Sequence, residues 1–252
     1  MKLKFKYIAF TIALIGLSET LSAQEKSSYR TNNFFDLALS GGNGKFSGAL
    51  SWSHINTLTK KIPNLKVGYG IRFTSFVAAN KFYATAPAKY TSSVQNLGTI
   101  FSETIDENID TIATATASTN SLNVTIHIEY SITPKLGAGI NIDLVGFSFG
   151  PEKTFNVISS SFDPNQSPVQ QGSPTRFNLL LTSDNDIGSL NSEFFLRYRL
   201  GEKISVRAGV TFVFSEYELS NELSFDNGRI MNARYRHKAA MGMIGLTYKP
   251  FN

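Results

Sequence analysis

From residue 34 onward the chain breaks into runs in which apolar and polar residues alternate with period two. The most regular is Leu190–Glu218. On its first arm Phe194, Leu196, Tyr198 and Leu200 share one face, and Glu193, Phe195, Arg197 and Arg199 share the other. On its second arm Val206, Ala208, Val210, Phe212 and Phe214 oppose Ser205, Arg207, Gly209, Thr211 and Ser215. Such alternation marks a strand with two unlike faces, and Gly201-Glu202-Lys203 between the arms reads as a turn. Six more runs follow the same rule: Phe34–Gly41, Lys45–Ile55, Leu65–Phe76, Leu122–Ile132, Leu136–Phe147 and Tyr235–Lys249. These arms exceed the usual ~5–6 residues of a globular strand and match the ~9–11 residues with which a tilted strand crosses a bilayer. The pattern predicts an all-β protein, an eight-stranded antiparallel up-and-down transmembrane β-barrel with long external loops.

The connections alternate in length. Asn56–Asn64, Thr133-Pro134-Lys135 and Gly201–Lys203 are short, as is Gly42-Asn43-Gly44 at the opposite end, whereas long stretches separate strands three and four and strands five and six. Outer-membrane barrels have short periplasmic turns and long external loops, and an even strand count puts both termini in the periplasm. Within the loops, Thr85–Asn120 is rich in Thr, Ser and Ala and reads as polar and mobile, and its Asp110-Thr111-Ile112 matches a short O-glycosylation pattern. Phe155–Ser161 and Phe177–Ser183 read as a projecting hairpin that offers an apolar surface at Leu179–Leu181 to a ligand or protein partner. Asp184-Asn185-Asp186, with Ser189 and Asn191, carries oxygen atoms of the kind that hold Ca²⁺ but reads as a turn into the sixth strand.

Two features assign the faces. The polar face carries Gly68, Gly70, Gly137, Gly139, Gly209 and Gly245, as a crowded interior requires. The apolar face carries Trp52, Tyr130, Tyr198 and Tyr248 near the short turns or the C-terminus, as an aromatic girdle at the inner lipid interface, with Phe46, Phe73, Phe212 and Phe214 for the outer one. Asp36, Lys66, Arg72, His127, Glu129, Asp143, Glu193, Arg197, Arg199 and Arg207 then point inward. Eight strands enclose a space that side chains fill, and buried charges must be paired, so these residues are expected to form a structural core that closes the lumen. The sharper alternative is a gated polar pathway.

The N-terminus reads MKLKFKYIAFTIALIGLSETLSA: three lysines, an apolar core over Tyr7–Leu17, and a small residue at Ala23. Residues 1–23 are expected to be a cleaved signal peptide, 24–33 a periplasmic N-terminal segment and 34–252 the barrel domain. Loss of the leader takes the formal charge from +5 to +3, too little to indicate nucleic acid. The chain has no cysteine, so no lipid-anchoring thiol is present. His127 and Glu129 face the same way at i and i+2, a base beside a carboxylate, yet no serine stands out as a nucleophile. His127, His54 and His237 are three scattered histidines and make no metal site. No catalytic residue, metal or cofactor is expected.

After the leader the chain resembles the small eight-stranded outer-membrane barrels of the OmpA transmembrane domain, OmpX and OmpW group. Its last strand, Gly245-Leu246-Thr247-Tyr248-Lys249, is similar to the segment such proteins present to the barrel-assembly machinery, and departs from it by ending Pro250-Phe251-Asn252. The resemblance implies a bacterial outer-membrane location in a Gram-negative envelope, outer-membrane lipids and the assembly machinery as partners, and a structural or surface-interaction role through the loops. An OmpW-like channel for small molecules is the alternative it offers, and a lipid A or phospholipid acyl hydrolase or transferase the enzymatic one.

Overall fold

The computed structural model describes residues 32–91, 109–159, 162–181, 185–225, 228 and 230–250. The expected leader and most of segment 24–33 lie outside them. The elements are β1 (Asn33–Gly42), β2 (Lys45–Thr59), β3 (Ile62–Thr85), the single helical turn α1 (Ala88–Thr91), β4 (Thr111–Ser131), β5 (Leu136–Phe149), β6 (Lys153–Val157), β7 (Val169–Pro174), β8 (Phe177–Leu179), β9 (Leu190–Arg199), β10 (Ile204–Phe225) and β11 (Ile230–Tyr248). The sheet has eleven strands rather than the eight expected, and all its pairings are antiparallel. The three extra strands, β6, β7 and β8, come from stretches expected to be loop.

The pairings form two linked cycles. In the first, β1 pairs with β2, β2 with β3, β3 with β4, β4 with β5, β5 with β9, β9 with β10, β10 with β11, and β11 with β1. At the end opposite the short turns, β3, β4, β10 and β11 run on past their neighbours. There β11 joins β3 directly (Tyr235↔Thr85, Arg236↔Ala84), β4 joins β6 (Ile112↔Val157), β6 joins β7, and β7 joins β10 (Tyr217↔Pro174). With the β3–β4 and β10–β11 ladders these contacts close a second, narrower cycle of six strands.

Irregularities make the narrowing possible. The β1–β2 hairpin stops at Asn43-Gly44, whose φ values of 49° and 68° give the turn with two left-handed residues that suits a tight hairpin. Asn80, at φ 52°, is skipped in the β3–β4 ladder between the pairs Ala79↔Thr116 and Lys81↔Thr114. Asparagine tolerates that conformation better than most side chains. A bulge between Thr125↔Asp143 and Val124↔Val145 reverses the facing of β5. Val145, which has the parity of the buried Asp143, is therefore exposed on the outside.

Several expected loops are wall. Thr111–Ser121 is the first half of β4, with Ile112, Thr114, Ala117, Thr119 and Ser121 buried. Threonine is a good strand former, and small inward side chains fit a six-stranded ring too narrow for large ones on every strand. The expected pairing of Phe155–Ser161 with Phe177–Ser183 does not occur. β6 pairs with β7, β8 pairs with β5 (Phe147↔Phe177), and Leu179 bridges Ile187. Residues 92–108, 160–161 and 182–184 of these expected loops lie outside the described residues.

Around the eight-stranded cycle the outside is apolar: Leu37, Leu50, Ile71, Ile126, Leu196, Val210 and Ile244 are all exposed. In the narrow cycle the polarity reverses, and the inside is a hydrophobic cluster of Phe76, Tyr83, Ile112, Phe155, Tyr217, Leu223, Phe225 and Tyr235.

Candidate functional site

The site lies inside the eight-stranded cycle. Alternation along β3, β5, β9 and β10 brings Arg72, Asp143, Glu193, Arg197 and Arg207 to one interior, with Asp36 from β1 and His127 and Glu129 from β4. All eight are buried. Arg72 forks onto Asp143 (Nε–Oδ1 2.9 Å, Nη2–Oδ1 2.5 Å), approaches Glu193 at 3.3 Å and donates to the carbonyl of Asn191. Arg207 bridges Glu193 (3.1 Å) and Asp36 (3.3 Å). Arg197 bridges Glu129 (2.5 Å) and Asp36 (3.6 Å). Three guanidinium groups and four carboxylates thus form one chain of charge from Asp143 to Glu129. Lys66 is only half-buried and Arg199 is exposed, donating to the carbonyl of Pro134, so these two stand at the short-turn rim.

Uncharged groups complete the network. Asn123 and the backbone N–H of Asn191 donate to Asp143 at 2.7 and 2.8 Å, Asn141 donates to Glu193 at 3.1 Å, and the Thr247 hydroxyl donates to Asp36. Phe195 lies among the charges, its ring 5.3 Å from the Arg197 guanidinium and 4.7 Å from that of Arg207. A Cβ on Gly139 would come within 2.6 Å of the Phe195 ring, so the glycine makes room for it. The asparagines, Thr247 and Phe195 were not among the expected site residues, although the asparagines and Phe195 have the same parity as the charges on their strands and Thr247 shares the inward face of Gly245, and that was the available signal. Paired buried charges of this kind contribute little net stability, but leaving one unpaired is costly.

His127 has both ring nitrogens engaged, with Thr125 at 2.8 Å and Asn141 at 2.6 Å. Glu129, its neighbour in sequence, is taken by Arg197. The pair that looked like a base and its orienting carboxylate is thus divided between two parts of the network. The other histidines lie elsewhere. His54 meets Asn33 (2.8 Å) and Tyr69, while His237 contacts the Phe82 carbonyl (2.9 Å) and lies against Tyr83.

Above the charges the interior becomes aromatic. Tyr83, Phe155 and Tyr217 meet edge to face with ring centroids 5.1–5.6 Å apart. The Tyr217 hydroxyl donates to the Ser118 carbonyl at 2.8 Å and accepts from its N–H at 3.0 Å. Thr119 and Tyr83 both contact Ser215, at 3.0 and 3.3 Å, where the polar and aromatic layers join. On the outside, Tyr130, Tyr198 and Tyr248 are each close to half exposed, and the partly covered Trp52 stands edge-on to Tyr69 at 6.1 Å.

Residues 185–189 cover a second ion cluster. Glu216 is paired with Arg234 (2.8 Å) and Arg236 (2.7 Å) and accepts from the Gly188 N–H, while both arginines donate to the Asp186 carbonyl. The Asp186 carboxylate accepts from the Leu181 N–H at 2.7 Å. Two of the oxygen-bearing residues considered for Ca²⁺ serve the fold instead, since the Asn191 side chain accepts from Thr211. Asp184 lies outside the described residues, among which no cluster of metal-ligating residues occurs.

No protein-family model and no curated protein matches the chain. Among solved structures it is similar to Neisserial surface protein A, with a TM-score of 0.36 and 8% identity over 86% of this chain and 94% of that one. A major outer membrane protein from Thermus thermophilus gives 0.36 and 11% identity, over 86% and 98% of the two chains. The CymD monoaromatic hydrocarbon channel gives 0.23 and 10%, over 89% and 90%.

Proposed function

We propose that the chain is a bacterial outer-membrane β-barrel of structural or surface-interaction type, with a lumen closed to ions and a narrow outer ring that presents the binding surface. In this reading the eight-stranded cycle spans the membrane up and down, the short turns and both termini face the periplasm, and the six-stranded cycle stands outside. Trp52, Tyr130, Tyr198 and Tyr248 lie at the inner lipid interface. Lipid surrounds the exposed aliphatic wall, the assembly machinery acts during biogenesis, and any surface ligand meets the outer ring and its loops.

The observation that carries the proposal is the reversal of polarity along the strands. A wall apolar outside and charged inside suits lipid, and the same strands become apolar inside where they leave it. A soluble ligand-binding barrel would keep its apolar face inward throughout. The interlocked arginines and carboxylates under an aromatic layer favour a closed lumen over the channel reading. The engaged ring nitrogens of His127 favour a non-enzymatic role. Purified protein in planar bilayers tests the lumen: the proposal expects no steady conductance, and stable open channels would sink it. Fractionation tests the location: a soluble periplasmic chain with no heat-modifiable gel shift would overturn the barrel in the membrane.

A further inference from the structure

The charges outside the buried network are unevenly placed. Every short turn carries lysine: Lys60 and Lys61 between β2 and β3, Lys135 between β4 and β5, and Lys203 between β9 and β10, all four exposed. Lys249 follows the last residue of β11, and Lys66 and Arg199 stand on strands at the same rim. Among the described residues the one exposed carboxylate at this end is Glu202, which can neutralise at most one of these cations. Glu129, deeper in, is taken by Arg197. The opposite end is mixed. There Glu152, Glu218 and Glu222 stand among Lys89, Lys153 and Arg176, and Glu216 is paired with Arg234 and Arg236.

Two further features say what the basic end meets. The first is its distribution. The eight strands fall into four neighbouring pairs, β2–β3, β4–β5, β9–β10 and β11–β1, and each pair ends at this rim in at least one lysine. A single docked molecule calls for one patch, whereas a surrounding annulus meets a ring. The second is its level. The cations begin where the exposed tyrosines end: Tyr198 and Tyr248 are followed directly by Arg199 and Lys249, and Tyr130 pairs with Leu65, the neighbour of Lys66. Aromatic belts lie at the depth of the lipid head groups, and lysine stems reach along a wall to hold their ammonium groups in that layer. Like charges gathered at one rim repel one another, and negative head groups relieve the repulsion.

We infer that the short-turn rim is a cationic collar that selects anionic phospholipids, with a net negative phosphodiester head group, from the inner leaflet over zwitterionic ones. The inference rests on the proposed barrel in the membrane and deepens it, because it names the lipid class that the inner end of the wall takes.

Trp52, the single tryptophan, lies on β2, the strand that leads to Lys60 and Lys61, and reports on the lipid in contact with the wall. The full-length protein is reconstituted in phosphatidylcholine vesicles with a rising share of chain-brominated lipid, either phosphatidylglycerol or phosphatidylcholine. Quenching of Trp52 gives the relative affinity of the two. The collar predicts a preference for phosphatidylglycerol of about threefold or more at low salt, falling towards equality at about 0.5 M salt as the charges are screened. The quadruple variant Lys60→Gln/Lys61→Gln/Lys135→Gln/Lys203→Gln should lose most of the preference. Lys45→Gln/Lys89→Gln/Lys153→Gln/Arg176→Gln, which removes as many cations from the opposite end, should keep it. No preference in the native protein, a preference indifferent to salt, or one that the opposite-end variant loses as readily overturns the collar. If the rim variant shows no gel shift, the salt series on the native protein carries the test. The outcomes separate the two readings: a Trp52 that neither brominated lipid quenches sinks the wall in lipid, whereas equal quenching by both sinks only the collar.

Discussion

Replacing Arg72 by leucine would strip Asp143 of its charge partner in a site with no solvent contact. The carboxylate would lose its two guanidinium contacts, at 2.9 and 2.5 Å, and keep only the Asn123 amide and the Asn191 N–H. Glu193 would lose its 3.3 Å contact and keep Arg207 and Asn141. Breaking one side of a buried pair costs about 3–5 kcal/mol, while exchanging both partners for apolar residues of similar volume is often close to neutral. Arg72→Leu should therefore destabilise the barrel by roughly 3–5 kcal/mol, and the double variant Arg72→Leu/Asp143→Leu by roughly 1–2 kcal/mol, since Asn123 and Asn191 each lose an acceptor. The assay is reversible urea unfolding in lipid vesicles, followed by the fluorescence of the single tryptophan, Trp52, and by the gel shift of unboiled samples. A single variant within about 1 kcal/mol of the native protein, with a double variant no better, would refute the claim that Arg72 and Asp143 form a dry, interlocked pair.

Other outcomes follow from the same contacts. Phe155→Ala removes a wholly buried ring from the aromatic layer and should cost about 3–5 kcal/mol by urea unfolding, with a new ion leak in planar bilayers if the seal lies there. Asn43→Ala removes the short amide side chain that makes φ 49° tolerable in the β1–β2 turn and should lower stability by about 1 kcal/mol, with Asn43→Gly close to neutral. Leu196→Arg, on the exposed wall, should cost roughly 2–4 kcal/mol in vesicles if that wall faces the bilayer midplane. The same change on a wall that faced water would leave the unfolding midpoint nearly unmoved.

Parity along the chain carried the inward assignment of the charges, because a period of two is local and survives whatever a strand pairs with. The partners of those charges were not legible, since they depend on register across strands far apart in sequence: Arg72 meets Asp143 and Glu193 across the lumen, from β5 and β9. Parity also failed at the bulges, as at Val145, where one extra residue turned the side chain outward. The outer ring was hidden for a different reason. There the faces exchange polarity, and its lining in β4 is made of Thr114, Ala117 and Thr119, residues equally common in loops. The β6–β7 hairpin could not be located from Phe155 and its neighbours because its partners, β4 and β10, are fixed by closure of the ring.

The facing of the wall is the central claim, and spin labels test it most directly. In the cysteine-free chain, nitroxides are attached at Leu37→Cys, Leu196→Cys and Ile244→Cys, and their collision rates with oxygen and with a water-soluble nickel chelate are measured in vesicles. A wall in lipid gives high oxygen and low nickel contact at all three positions, and a wall in water gives high nickel contact at all three, which would contradict the account.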